Sequence, residues 1–338
     1  MMHNVRRSDL HGHRRPFALS FVLAALPACS SPSLLITPVS SNRGLVETEL
    51  SRDSFFARDK VALIDVSGVL IDGPRLQLLG EGENPVSLFT EQLDRARRDS
   101  SVRGVILRIN SPGGAVVAAE LMHEEITHFK KSRKPIVAVM MDVAASGGYY
   151  IACACDEIVA QPSTVTGSIG VIMQMFDLSG TMNLIGVKSD AITSGVHKDT
   201  GSLFRPMRPE EREQFQGIVN DMYERFVGVV AAGRSKLDEA AVRELADGRV
   251  YTAHQALEAG LIDRIATIRA TVAGMKKRLG AKRVRLVTYH RPADYRPNYY
   301  ALAPTAPGGD LNLLKIEGAT WLEHTTPRFM YLWAPGAQ

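Results

Sequence analysis

Three short apolar runs, rich in β-branched residues, follow one another through the first half of the chain. The runs cover Val61–Ile71, 104–110 and 135–141. Their composition is typical of strands that are buried on both faces of a sheet. Because each run is separated from the next by a stretch with helical spacing, the order predicts an α/β fold with parallel strands and right-handed helical crossovers.

The stretches between these runs carry apolar residues at helical spacing. Residues 87–99 predict a helix whose buried face holds Phe89, Leu93 and Ala96. Residues 115–131 predict a second helix, which ends in lysines, the charge favoured at a helix C-terminus. The alternation continues beyond residue 150, with strand-like segments at 157–161, 170–176 and 187–192 and helices at 209–233, 238–246 and 252–259.

Composition divides the chain outside this pattern into further segments. Residues 1–28 have the layout of an export signal, and residues 29–58 are rich in Ser, Pro and charge, which predicts a tether. A single domain is expected over 59–275, followed by a C-terminal extension over 276–338 without clear periodicity. The end of this extension, residues 327–333, could form a strand that binds a groove or a neighbouring chain, or pack on its own domain.

The charge of the chain is concentrated at its N-terminus. The formal net charge of the 338 residues is +4, and the first 28 residues contribute +3 of it. The rest is nearly neutral and gives no electrostatic reason to expect nucleic acid as a partner.

The N-terminus also carries the pattern of a secreted lipoprotein. Arg14 and Arg15 precede an apolar run that is too short to span a bilayer comfortably, an order typical of an export signal. The run ends in LPAC, Leu26–Cys29, which resembles a bacterial lipobox and predicts lipidation of Cys29. An uncleaved N-terminal anchor and a chain that is not exported are the alternatives.

Several familiar motifs are absent or incomplete. There is no P-loop sequence, so no nucleotide-binding module of that kind is expected. His123 and His128 are five positions apart, which is poor spacing for a shared metal, and we interpret both as helix-surface residues. Cys153 and Cys155 are too close for an ordinary disulfide and are expected to be small buried residues.

Two glycine-rich turns are candidates for chemistry. SPGG, residues 111–114, follows a predicted strand and precedes a helix, so its backbone amides could bind an anion or could simply make a tight connection. Ser146, in ASGG, is a candidate nucleophile or a helix N-cap. A serine nucleophile needs a base, and His197 and Lys198 are candidates, although each taken alone is typical of a solvated loop.

The ordered set of motifs resembles the S49 peptidases, in their short signal-peptide-peptidase form. The resemblance covers roughly residues 58–270 and is specific because several motifs occur in the same order. The matching segments are RINSPGG (108–114), ASGGYYIA (145–152), CDEIVAQPSTVTGSIGV (155–171), SGVHKD (194–199) and DGRVYTAHQALEAGLID (247–263). The resemblance implies a Clp/crotonase-like spiral of parallel strands with helical crossovers.

The same resemblance implies roles for individual residues. Ser146 corresponds to the nucleophile and Lys198 to the general base of a Ser/Lys dyad. Gly113, Gly114 and Gly147 correspond to the oxyanion hole, and no metal, nucleotide or other cofactor is implied.

The family's substrates and assembly are also implied. The substrates would be residual signal peptides and unstructured or membrane-associated polypeptides. The enzyme would be a membrane-associated homo-oligomeric ring, expected to be an octamer, in which Ser and Lys of one site can come from adjoining chains. The catalytic domain would lie on the extracytoplasmic, periplasmic side of the cell envelope.

Other functions share some of these features. A crotonase-type acyl-CoA enzyme would use paired backbone amides on the same fold, but it leaves Ser146 and Lys198 without a role. A catalytically inactive scaffold for membrane proteins would keep the ring without the reaction. Within the peptidase hypothesis, His197 is the alternative base.

Overall fold

The computed structural model describes residues 44–73, 83–292 and 329–333. The strands are β1 Val46–Arg52, β2 Asp59–Ser67, β3 Val102–Ser111, β4 Gly113–Ala115, β5 Ile136–Ala145, β6 Glu157–Ala160, β7 Val165–Gly167, β8 Ile172–Met173, β9 Val250–Thr252, β10 Arg264–Ile265, β11 Val284–His290 and β12 Phe329–Leu332. The helices are α1 Pro85–Arg98, α2 Val116–Lys130, α3 Gly147–Ala152, α4 Ser179–Leu184, α5 Pro209–Gly233, α6 Glu239–Leu245, α7 Ala253–Glu258 and α8 Ile268–Arg278.

A mostly parallel sheet forms the centre of the fold. Its strand order is β1-β11-β2-β3-β5-β6-β10, with β7 paired to β5 and β9 paired to β7. Strands β11, β2, β3, β5 and β6 run parallel, while β1 pairs antiparallel at the edge. Apolar side chains are buried on both faces of this sheet. The predicted α/β fold with parallel strands and helical crossovers is confirmed.

The first two helices form where the apolar spacing predicted them. Phe89, Leu93 and Ala96 of α1 are all buried. Asn84 caps this helix, since its side-chain oxygen accepts hydrogen bonds from two backbone amides of the first turn. Helix α2 packs beside α1 over the same face of the sheet. The spacing of the apolar residues therefore identified the face of α1 that packs against the core.

The segments predicted as strands at 170–176 and 187–192 differ from expectation. Only the short β8 forms in the first, and residues 187–192, all of them described, form no strand. Their side chains are exposed in the chain taken alone, including Ile192 at 103% of its reference area. Apolar content without a neighbouring strand is insufficient, because a strand needs partners for its backbone groups.

The central sheet extends beyond both predicted limits of the domain. Strand β1 lies inside the predicted tether, and β11 lies inside the predicted C-terminal extension. The two strands pair with each other, and β11 also pairs with β2. Pairing with distant strands therefore orders two segments that were not predicted as strands. The predicted export signal over 1–28 and Cys29 lie outside the described residues.

A small second sheet stands beside the first. Its order is β4-β12-β8, with both pairings antiparallel. Over the ranges that the structure describes, no helix is both long enough and apolar enough to cross a membrane.

Candidate active site

Ser146 lies in a strained turn between β5 and α3. Its φ is 53° and its ψ is −117°, a combination that costs a non-glycine residue about 1–3 kcal/mol. Its backbone N–H donates to Gly167 O at 2.7 Å, and its own carbonyl accepts from Tyr150 N at 2.9 Å. The Ser146 side chain makes no capping hydrogen bond to α3, so the interpretation of its hydroxyl as an N-cap is not supported.

The helix that follows Ser146 is held rigidly. All six residues of α3 are buried. The hydroxyl of Tyr149 donates to Leu261 O at 2.8 Å, which ties α3 to a distant loop. At Gly148, an added Cβ would stand 2.8 Å from Ser111 O, so only glycine fits at this position without movement. The turn that carries Ser146 is therefore fixed by the contacts that α3 makes with Leu261 and with Ser111.

The two predicted glycine turns meet at Ser146. Gly113 has a φ of +98°, and a Cβ built on it would lie 2.7 Å from the backbone nitrogen of Gly147. A Cβ on Gly114 would lie 2.0 Å from Leu70 O. The N–H of Gly113 donates to Ser111 Oγ at 3.1 Å. The structure thus brings Gly113, Gly114 and Gly147 together, and the amide of Gly113 already has a partner.

Ser146 and Lys198 differ sharply in exposure within the single chain. Ser146 is 1% exposed, whereas every residue over 184–198 is exposed. The backbone N–H of Lys198 donates to Gly195 O at 3.0 Å. His197 is exposed in the same turn.

A compact ionic cluster fixes the chain directly after Lys198. Arg205 donates to Asp199 at 2.7 Å and to Glu211 at 3.0 Å, and Arg208 donates to Glu211 at 2.9 Å. Arg208 also donates to Val196 O at 2.7 Å. The pKa of the Glu211 carboxyl is lowered to about 2. The hydrogen bond from Arg205 has the largest effect, and the hydrogen bonds from Arg208 add to it.

Two cysteines and two histidines outside this site differ from one another in burial. Cys153 and Cys155 are buried and free, as predicted, and burial raises the pKa of the Cys153 thiol to about 12. His128 is exposed, as expected. His123 lies on the same helix and is half-buried, with its ring edge-on to Tyr150 at a centroid distance of 5.2 Å.

The structure places the aromatic segment near the C-terminus beside the glycine turns. Strand β12 lies between β4 and β8, with Tyr331 opposite Gly114. Tyr331 is fully buried against Tyr150 and Phe226. The aromatic residues near the C-terminus signalled a docking segment, and the structure places that segment in a groove of its own domain.

Comparison with known proteins gives consistent similarities. Residues 128–282 match the sequence model of Peptidase family S49, a range that includes Ser146 and Lys198. The Enterococcus faecium protein named "Putative signal peptide peptidase SppA" is 37% identical over 230 residues, which is 68% of this chain and 67% of that protein.

Two further relatives are also named proteases. "Putative protease slr0021" of Synechocystis sp. is 38% identical over 210 residues, which is 62% of this chain and 71% of that protein. "Serine protease SPPA, chloroplastic" of Arabidopsis thaliana is 36% identical over 247 residues, which is 71% of this chain and 36% of that protein.

Proposed function

We propose that this chain, which belongs to peptidase family S49 and is a serine endopeptidase, uses Ser146 as its nucleophile and Lys198 as its general base. The observation that carries the assignment of Ser146 is its strained backbone at the end of β5. This turn sets the hydroxyl beside the first amide of α3, where a developing oxyanion can be stabilised.

The reaction proceeds through an acyl-enzyme. Ser146 Oγ attacks the substrate carbonyl while the neutral amine of Lys198 takes the hydroxyl proton and returns it to the leaving amine. Water then hydrolyses the ester by the same proton transfers. A metal or other cofactor has no part in these steps.

Backbone amides stabilise the oxyanion in this proposal. We assign the donors to Gly147 and Gly114, each worth about 3 kcal/mol of transition-state stabilisation. Gly113 contributes differently, because its amide donates to Ser111 Oγ. Its missing side chain leaves the space through which a carbonyl can approach the amide of Gly147.

Lys198 reaches Ser146 from a neighbouring copy in a ring. Large apolar side chains are exposed in the segment that carries Lys198, which favours their burial against another copy. They include Leu184, Ile185, Ile192 and Val196, at 87%, 70%, 103% and 72% exposure. An octameric ring closed by such contacts would bring a buried Ser146 of one chain to an exposed Lys198 of the next.

The substrates are extended polypeptides, including cleaved signal peptides, as the name of the Enterococcus relative suggests. Strand β4 carries the extended segment β12 along its edge near Ser146, and a peptide substrate would add to the same edge in place of β12. Residues 1–28 would direct export, Cys29 or an uncleaved anchor would hold the enzyme at the membrane, and the catalytic domain would face the periplasmic side of the envelope. The sheet includes β1 and β11, so the proposed domain extends beyond 59–275 into the segments expected to be a tether (29–58) and an extension (276–338).

Four proteins test the dyad. Wild type, Ser146→Ala, Lys198→Ala and His197→Ala would be compared for cleavage of β-casein and of a signal peptide. We expect wild type and His197→Ala to cleave, and the other two to lose activity by several orders of magnitude. Full activity of Lys198→Ala with loss in His197→Ala would move the base to His197. Four inert proteins with an intact oligomer would overturn the peptidase assignment of this site.

A further inference from the structure

One edge of the central sheet collects the beginnings of strands and the ends of helices. Because β2, β3, β5, β6 and β11 are parallel, they all begin at this edge. Helices α1, α2 and α8 directly precede β3, β5 and β11, so they end at the same edge. We call it the amino edge. Ser146 follows the end of β5 and therefore lies at the opposite edge.

Basic residues are concentrated at the amino edge, although the chain beyond residue 28 is nearly neutral. Residues 130–134 contain four lysines and arginines and no acidic residue, and residues 276–285 contain six and no acidic residue. Five of these side chains are exposed and form no ion pair within the described ranges, namely Lys131, Arg133, Lys277, Lys282 and Arg283. Their charge is therefore available to a partner.

The acidic side chains at the amino edge are occupied by other basic residues. These pairs are Asp53 with Lys276, Asp99 with Lys60, Asp156 with Lys130 and Glu157 with Arg264. The five unpaired cations therefore face solvent without a local carboxylate to neutralise them.

An open depression of about 360 Å³ lies among these residues, and Asp156 is the one acidic residue in its lining. The basic residues in the lining are Lys130, Arg133, Lys134 and Arg278. Lys134 already donates to three carbonyls at the end of α1. Arg133 has a left-handed φ of 58° just after α2, where glycine is the unstrained choice. The chain thus accepts backbone strain at a position that brings a guanidinium to the depression.

Two exposed phenylalanines lie at the same edge, in the loop between β1 and β2. Phe55 and Phe56 are 82% and 76% exposed, and their rings pack edge to face with centroids 5.7 Å apart. Lys276 ties this loop to the end of α8, because it donates to Asp53 at 2.7 Å. Arg52 lies over the Phe55 ring at 5.9 Å. The aromatic pair is therefore held beside the cations that end α8.

We propose that the amino edge docks on a bilayer surface that contains anionic phospholipids, with Phe55 and Phe56 entering the interfacial layer and the unpaired cations binding headgroup phosphates. Phenylalanine favours that layer when basic residues accompany it. Each lysine or arginine near an anionic surface contributes about fivefold to affinity. Apolar rings beside a group of cations match a bilayer, in which acyl chains and charged headgroups lie in adjacent layers.

This contact is separate from the proposed N-terminal anchor. An anchor followed by a tether leaves the orientation of the domain free, whereas docking of the amino edge fixes it. Strand β5 has ten residues, so it holds Ser146 about 30 Å from the docked edge. A polypeptide would therefore be cut at that distance from the headgroups.

A tryptophan in the loop reports docking in the full chain, whether or not the anchor is inserted. The Phe55→Trp chain would be reconstituted into vesicles of phosphatidylcholine alone or mixed with phosphatidylglycerol, with and without brominated acyl chains. Wild type gives the background from Trp321 and Trp333. We expect brominated lipid to quench the introduced tryptophan only in the anionic vesicles, and high salt to reverse the quenching.

Removal of charge tests the basic part of the surface. In the Phe55→Trp chain, Arg133→Gln should lower the ratio of docked to undocked protein about fivefold, and Arg133→Gln/Lys277→Gln about 25-fold. The matched control for the single change is Arg212→Gln. It removes an exposed arginine near the start of α5, whereas the end of that helix at Gly233 contacts Cys153. This control should leave the quenching unchanged.

Three outcomes would overturn the docking surface. They are equal quenching in neutral and anionic vesicles, quenching that Arg133→Gln/Lys277→Gln leaves unchanged, and coverage of the loop by a second copy. In the last case, Phe55→Ser/Phe56→Ser would reduce the mass of the oligomer in the absence of lipid. Docking is measured without turnover, so an inert wild type would overturn the proposed function and not this surface.

Discussion

At the scale of single residues, the site depends on positions where the backbone is strained or where an added side chain would collide with a neighbour. Ser146 has a φ that few non-glycine residues adopt, and its neighbours supply the contacts that keep it there. Gly148 lets α3 approach the end of β3 so closely that a methyl group would meet Ser111 O. The position of the nucleophile is therefore set by backbone packing as much as by its own hydrogen bonds.

The substitution Gly148→Ala tests this packing. Its Cβ would stand 2.8 Å from a backbone oxygen, so the start of α3 must move and carry Ser146 with it. We expect kcat/KM to fall at least tenfold, since displacement of a reacting group by about 1 Å can cost two orders of magnitude. Kinetics with a peptide substrate, together with the melting temperature, would measure both effects.

Gly217→Ala is the matched control for that change. Gly217 is exposed on α5 and has no atom within 4 Å of an added Cβ. It should keep full activity and gain stability, by up to about 1 kcal/mol, because alanine favours a helix. Unchanged kinetics in Gly148→Ala would show that the turn tolerates movement.

At the scale of elements, the exposed loop that carries Lys198 is tied to α5 by charged side chains. Asp199, Arg205, Arg208 and Glu211 connect this loop to the first turn of α5. Glu211 is 1% exposed and accepts from both arginines, so it is the centre of the cluster. The cluster therefore orders the chain next to Lys198.

The pKa of Glu211 predicts how this ordering depends on pH. That pKa falls from its usual 4.5 to about 2, so the carboxylate stabilises the fold fully above about pH 4.5 and progressively less as pH falls towards 2. Glu211→Gln should lower stability at neutral pH, with a difference from wild type that shrinks in acid. Denaturant unfolding near pH 6 and near pH 3 would show it.

Glu213→Gln removes an exposed carboxylate from the same helix and provides the control. It should change stability by less than about 0.5 kcal/mol at either pH. A Glu211→Gln deficit that stays constant between the two pH values would contradict the assigned titration.

At the scale of the whole molecule, the segment that carries Lys198 exposes large apolar side chains in the single chain. Eight of the fourteen large apolar side chains exposed in the described residues lie between Ile172 and Phe204. Surfaces of this kind mark sites of association. A heterologous contact in a ring would cover them and complete each active site from two chains.

Co-expression of Ser146→Ala and Lys198→Ala chains tests this arrangement. Each variant alone should be inert, but random assembly of equal amounts would leave about one site in four with both groups if they come from different chains. The recovered activity should therefore approach about a quarter of wild type. An inert mixture of intact rings would place both groups in one chain. Ser146→Ala co-expressed with the Ser146→Ala/Lys198→Ala double variant is the control and should remain inert.

Prediction from sequence succeeded where the information is local. The spacing of Phe89, Leu93 and Ala96 identified α1 and its buried face. It failed for β1 and β11, because the order of an edge strand comes from partners far away in sequence. It also failed for 187–192, where apolar residues face outward in the single chain.

The sequence by itself determined the parallel α/β core, the family motifs and the candidates Ser146 and Lys198, because periodicity and short ordered motifs are local properties of a chain. Only the tertiary structure decided that the glycine turns meet at Ser146, that the amide of Gly113 is engaged, and that Tyr331 fills the adjoining pocket. Those contacts join positions far apart in sequence, and no local pattern encodes the distance between them.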